Sequence, residues 1–103
     1  MTTAYLGIGT NLGDRAENLS VALRELAADP AVSVVSGSTV YESKPMGVLN
    51  QPDFLNLVVK IETTLTPHEL LALCLQIESR LGRERRERWG PRVIDLDLLY
   101  LSG

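Results

Sequence analysis

Phe54-Leu55-Asn56-Leu57-Val58-Val59-Lys60-Ile61-Glu62 is the stretch on which the fold turns. It is rich in aliphatic and β-branched residues and alternates with a period of two, the period of a strand. Leu55, Leu57, Val59 and Ile61 share the face that faces the core. Phe54, Asn56, Val58 and Lys60 share the other. Downstream, Thr66-Pro67-His68-Glu69 combines a capping box with proline at the first helical position. Leu70, Leu73, Cys74, Ile77 and Leu81 then recur at helical spacing, and Gly82 ends the helix. Val93 to Tyr100 is again β-branched and apolar and follows a Gly90-Pro91 turn, so it reads as a strand.

The N-terminal half repeats the arrangement. Ala4 to Gly9 alternates as a strand, and Asp14-x-x-Glu17 opens a helix with Leu19, Ala22, Leu23 and Leu26 on one face. Pro30 ends it. Val32 to Glu42 is the second strand, with a bulge expected at Gly37. Ser43 to Asp53, with two prolines and a glycine, is expected to be a loop. The order βαββαβ predicts an α+β, ferredoxin-like fold: a four-stranded antiparallel sheet with both helices on one face. Residues 1–103 are expected to form a single domain.

Composition agrees with a small folded domain. The 103 residues are 45% apolar and 22% charged, with a net charge of -3. The longest apolar stretches are too short to span a bilayer, and Met1-Thr2-Thr3 has no signal-peptide character. The single cysteine, Cys74, excludes an internal disulfide and a cysteine metal cluster. Its place on the apolar helical stripe makes it a small buried hydrophobe. A cytoplasmic protein is expected.

If Leu6, Ile8, Leu55, Leu57, Val59, Ile94, Leu96 and Leu98 lie under the helices, the opposite face collects Tyr5, Gly7, Gly9, Phe54, Asn56, Asp95 and Asp97. That open face is the candidate site. Asp95 and Asp97 fall side by side, about 6–7 Å apart at Cα from the strand rise. Two hard carboxylates with no His or Cys beside them suit Mg²⁺ or Mn²⁺. A solvated edge strand would carry the same pattern. Six of the ten Lys and Arg residues, Arg80, Arg83, Arg85, Arg86, Arg88 and Arg92, precede this strand in an otherwise acidic chain. Arginine forks match phosphate oxygens, so carboxylates and guanidiniums together suit polyphosphate chemistry. A solvated loop paired with Glu84 and Glu87, or a nucleic-acid patch, are the other readings of the arginines. Gly7-x-Gly9-x-x-x-Gly13 has the wrong spacing and topology for a dinucleotide fold. His68 is read as a surface residue.

Arg88-Trp89-Gly90-Pro91-Arg92-x-x-Asp95-x-Asp97-Leu98-Leu99 resembles the signature of the 6-hydroxymethyl-7,8-dihydropterin pyrophosphokinases of folate synthesis. Gly9-Thr10-Asn11-Leu12-Gly13 agrees in order and spacing, as does Tyr41 to Gly47 followed by Gln51 to Asn56. So does Glu78 with Gly82-Arg83-x-Arg85. The resemblance spans essentially the whole chain. It implies transfer of pyrophosphate from ATP to the pterin hydroxymethyl group, with release of AMP. By the same resemblance Asp95 and Asp97 bind two Mg²⁺ ions, and Arg83 and Arg92 act on the phosphates during transfer. Glu78, Arg85, Arg88 and Trp89 join Arg83 and Arg92 around ATP. Asn11, Ser43, Met46, Phe54, Asn56 and Trp89 line the pterin pocket.

Members of that family continue for a substantial C-terminal segment that completes the ATP site, so the chain is short relative to them. The expected partners are ATP and the pterin, without nucleic acid or membrane, and a monomer is expected. A pterin-binding fragment without transferase activity is the alternative. A ferredoxin-like RNA-binding module is disfavoured, because two carboxylates on the open face repel phosphate and the chain is acidic.

Overall fold

The computed structural model describes residues 1–44, 51–82 and 94–102. Its elements are β1 (Thr2–Thr10), α1 (Arg15–Ala28), β2 (Val32–Gly37), β3 (Tyr41–Ser43), β4 (Phe54–Thr63), α2 (Pro67–Leu81) and β5 (Asp95–Ser102). The sheet order is β2-β4-β1-β5, with β3 also paired to β4. Every pairing is antiparallel. Two strand–helix–strand units interleave in this order, which is the ferredoxin-like topology expected from the sequence.

The helices begin where their caps place them. Asp14 Oδ1 accepts from the Glu17 amide at 3.1 Å. At α2 both halves of the capping box form: Glu69 N donates to Thr66 Oγ1 at 3.2 Å, and Thr66 N donates to Glu69 Oε1 at 2.8 Å. Gly82 ends α2 with φ -140 and ψ 83, so this glycine stops the helix without a left-handed turn. Leu19, Ala22 and Leu26 of α1 and Leu70, Leu73, Cys74 and Ile77 of α2 bury in one core with Leu6, Ile8, Leu57, Val59, Ile61 and Leu96 of the sheet and Ile94 just ahead of β5. Each buried aliphatic side chain stabilises this core by about 1.5–3 kcal/mol relative to exposure. Cys74 lies in it as a free thiol.

Two details differ from the reading of the sequence. The second strand, expected as one piece from Val32 to Glu42, is two strands on the same partner. Ser38 causes the break: its hydroxyl accepts from the Val58 amide at 2.9 Å and donates to Thr39 O at 2.9 Å. A side chain has taken a place in the ladder that backbone would otherwise hold. The bulge expected at Gly37 falls instead between Val34 and Ser36, and Gly37 pairs regularly with Val59. The extra residue there is Val35, and among the described residues no non-glycine has positive φ. The bulge therefore needs no glycine.

A second register shift, unforeseen, lies in β5. Leu6 pairs with Leu98 and Tyr5 with Tyr100, which leaves Leu99 as an extra residue. Beyond it Leu101 pairs with Ala4 and packs on the core, while the Tyr100 ring meets that of Tyr5 at 6.1 Å between centroids. Unbroken alternation from Leu98 would have sent Tyr100 into the core.

Candidate functional site

β4 and β5 both run antiparallel to β1, so the first residues of both strands lie at the end of the sheet where β1 finishes. The ladder sets out two rows there. Tyr41, Asn56, Gly9 and Asp95 are successive cross-strand partners, and so are Val58, Gly7 and Asp97. Directly paired residues share a face, so the amide of Asn56 and the carboxylate of Asp95 flank a strip whose floor has no side chains. Strands are about 4.8 Å apart, which leaves roughly 10 Å between the two walls at the backbone. A cavity of about 190 Å³ opens over this strip, lined by Tyr41, Phe54, Asn56, Val58, Asp95, Asp97 and Leu99 above Gly7 and Gly9.

The floor is tight. A Cβ on Gly9 would stand 3.1 Å from Asn56 Oδ1 and 3.5 Å from Phe54 Cδ1, and one on Gly7 would stand 3.3 Å from Leu99 Cδ1. Leu99 shares the parity of Asp95 and Asp97, so its side chain stands on this face, over Gly7. On the amide wall, Asn56 Nδ2 donates to Ser43 Oγ at 2.8 Å and to Tyr41 O at 3.3 Å. Its donor is thus engaged with β3, and its oxygen lies over Gly9, where a ligand N–H can reach it.

The acidic wall is braced from behind. Glu78, in the last turn of α2, accepts from the Leu96 amide through Oε2 at 2.7 Å. That amide sits between the two aspartates. Burial raises the Glu78 carboxyl above its ordinary range, the Leu96 hydrogen bond works against this, and the charge and hydrogen bond of Asp95 add to the rise. Among the described residues no three His, Cys, Asp or Glu side chains converge as a metal cage. Asp95 and Asp97 both line the cavity and offer it hard carboxylate oxygens. That set fits Mg²⁺, which keeps waters and substrate phosphates as its other ligands.

The structure brings together Phe54, Asn56, Asp95 and Asp97 around one cavity, as the open face of the sheet predicts, and places Ser43 behind Asn56. Glu78 stands behind the aspartates. Asn11 is fully buried and donates to Gln51 Oε1 at 2.8 Å and Pro52 O at 3.0 Å, so it braces the chain entering β4 without lining the cavity. Met46, Arg83, Arg85, Arg88, Trp89 and Arg92 lie outside the described residues. Tyr41, Val58 and Leu99 line the cavity without having been singled out. Alternation along β4 places Val58 on this face, and alternation from Asp95 and Asp97 along β5 places Leu99 there.

The class this defines is a ferredoxin-like α+β domain whose open sheet face carries a cavity lined by an aromatic ring, an amide and paired carboxylates. The chain belongs to the 7,8-dihydro-6-hydroxymethylpterin-pyrophosphokinase family, whose profile matches residues 5–102. It is 53% identical over 103 residues to the 2-amino-4-hydroxy-6-hydroxymethyldihydropteridine pyrophosphokinase of Methylorubrum extorquens, covering 100% of the chain and 65% of that relative. It is 49% identical over 99 residues to the Bacillus subtilis protein of the same name, covering 96% of the chain and 59% of the relative. The chain thus spans about two thirds of the length of these relatives or less. A solved de novo designed protein with a ferredoxin fold superposes with a TM-score of 0.48 at 16% identity, over 95% of this chain and 85% of the other. The fold assignment stands on the strand order and register.

Proposed function

We propose that this chain carries the pyrophosphokinase site of its family and transfers pyrophosphate from ATP to the hydroxymethyl group of 6-hydroxymethyl-7,8-dihydropterin, releasing AMP. The observation that carries the reading is the single cavity in which Phe54 and Asn56 face Asp95 and Asp97 across Gly9. The pterin lies flat on the glycine floor against Phe54, with its N–H edge on Asn56 Oδ1. Its hydroxymethyl oxygen is then directed toward the aspartate wall.

In the transfer, that oxygen forms a bond to the β-phosphorus, and the bond from the β-phosphorus to the α,β-bridging oxygen breaks. The bridging oxygen leaves with AMP, and the hydroxyl proton goes to solvent. Asp95 and Asp97 would hold the two Mg²⁺ ions, which would neutralise phosphate charge and lower the pKa of a substrate hydroxyl. Glu78 keeps the strand between the aspartates in place. We assign Arg83 and Arg92 to the charge that develops on the phosphates, with Arg85, Arg88 and Trp89 around the nucleotide. Asn11, Ser43 and Met46 belong to the pterin side. The chain acts as a single core domain and a monomer on small molecules, in the cytoplasm. Among the described residues no helix is long and apolar enough to cross a membrane.

Asp97→Ala tests the reading. Asp97 is exposed and lies outside the buried core, so the variant should keep the wild-type circular dichroism spectrum while turnover falls below detection. Activity retained in that variant removes the metal assignment. Pterin binding by the wild-type chain that is independent of Mg²⁺, with no turnover, would leave a binding site without the transferase.

A further inference from the structure

We propose that Arg15, which does not line the cavity, is a positioning residue that fixes the aromatic wall on which the pterin lies. The inference rests on the pterin reading above. Arg15 is the first residue of α1, where the helix dipole favours negative charge, so a cation there is not explained by helix stability. Its guanidinium turns away from the helix. Arg15 Nη1 donates to Asp53 O at 2.8 Å and to Glu42 Oε2 at 3.1 Å.

Those two partners are the neighbours of the wall. Asp53 directly precedes Phe54, and Glu42 directly precedes Ser43, whose hydroxyl holds the Asn56 amide. Phe54 needs such support because it lies past the end of β1. The β1–β4 ladder stops at Thr10 and Leu55, so the one ladder partner of Phe54 is Ser43 of the three-residue β3. Asn11 makes the parallel contact one residue earlier, on Pro52 O. The Glu42 ion pair is solvent-exposed and contributes little by itself. The partly buried bond to the Asp53 carbonyl does the positioning, since a backbone carbonyl ahead of the ladder needs a donor from elsewhere.

The test compares Arg15→Ala, Arg15→Lys and Glu42→Gln with the wild-type chain, using binding of 6-hydroxymethylpterin, binding of Mg²⁺-ATP and amide hydrogen exchange. Arg15→Ala should bind the pterin roughly threefold to tenfold more weakly, with nucleotide binding unchanged. Arg15→Lys, which keeps a donor for Asp53 O, should recover most of the loss, and Glu42→Gln should stay within about twofold of wild type. Exchange in Arg15→Ala should quicken at Phe54 to Asn56 and not in α1 or the core of β1. Pterin binding equal to wild type in Arg15→Ala, or parallel losses for pterin and nucleotide, would overturn the proposal. If the wild-type chain takes up no pterin, the functional reading fails by itself. Exchange then decides the positioning: faster exchange confined to Phe54–Asn56 upholds it, and an unchanged pattern overturns it.

Discussion

A methyl group at position 9 would press on Asn56 Oδ1 at 3.1 Å, and Asn56 cannot swing clear without giving up the bond from its amide to Ser43 Oγ. In a strand interior, alanine is otherwise favoured over glycine by roughly 0.5–1 kcal/mol. Overpacking of about 1–3 kcal/mol exceeds that gain. Gly9→Ala should therefore melt a few degrees below wild type, and its affinity for 6-hydroxymethylpterin should fall roughly tenfold, the consequence of crowding a tight floor. Calorimetry and a binding titration on one preparation check both halves. Undiminished binding would mean that no ring lies over Gly9. The residues that make this strip, Gly7, Gly9, Phe54, Asn56, Asp95 and Asp97, were readable from alternation alone, because a strand assigns faces by parity. Arg15 was not, since its partners Glu42 and Asp53 are distant in sequence and nothing local pairs them.

Helix α2 links the core to the acidic wall, because Cys74 and Ile77 face the sheet while Glu78 reaches the Leu96 amide. Burial, followed by the charges of Glu78 and Asp97, pushes the Cys74 thiol up to about 11 from an ordinary 9.0. The folded chain thus favours the protonated thiol. This contribution to stability is complete below pH 9 and is lost as the pH rises from 9 toward 11, where the unfolded chain ionises first. The loss amounts to roughly 2–3 kcal/mol at most. Denaturant unfolding at pH 8 and pH 11 should show wild type losing more stability than Cys74→Ala over that interval. An identical decline in the two proteins would place the thiol outside the core. The bounds of the helices were legible because the caps, Asp14 and Thr66, are local chemistry. The break at Ser38 and the slip at Leu99 were not, because each depends on which strand lies alongside.

The whole molecule is two interleaved strand–helix–strand units that bury one sheet face under helices and leave the other open. Periodicity was enough to predict this, since strands of period two and helices of period 3.6 in the order βαββαβ leave few ways to share one core. The division of labour on the open face follows from the topology. Parallel β4 and β5 begin at the same end of the sheet, so the ring wall and the acidic wall face each other across β1. The central claim is that this arrangement directs a pterin hydroxyl at the β-phosphorus of ATP. Identification of the nucleotide product tests it most directly, with the purified 103-residue chain, ATP, Mg²⁺ and 6-hydroxymethyl-7,8-dihydropterin resolved by chromatography. The account predicts AMP that forms only when the pterin is present, matched by an equal amount of pyrophosphorylated pterin. ADP as the product, or AMP formed without the pterin, would contradict it.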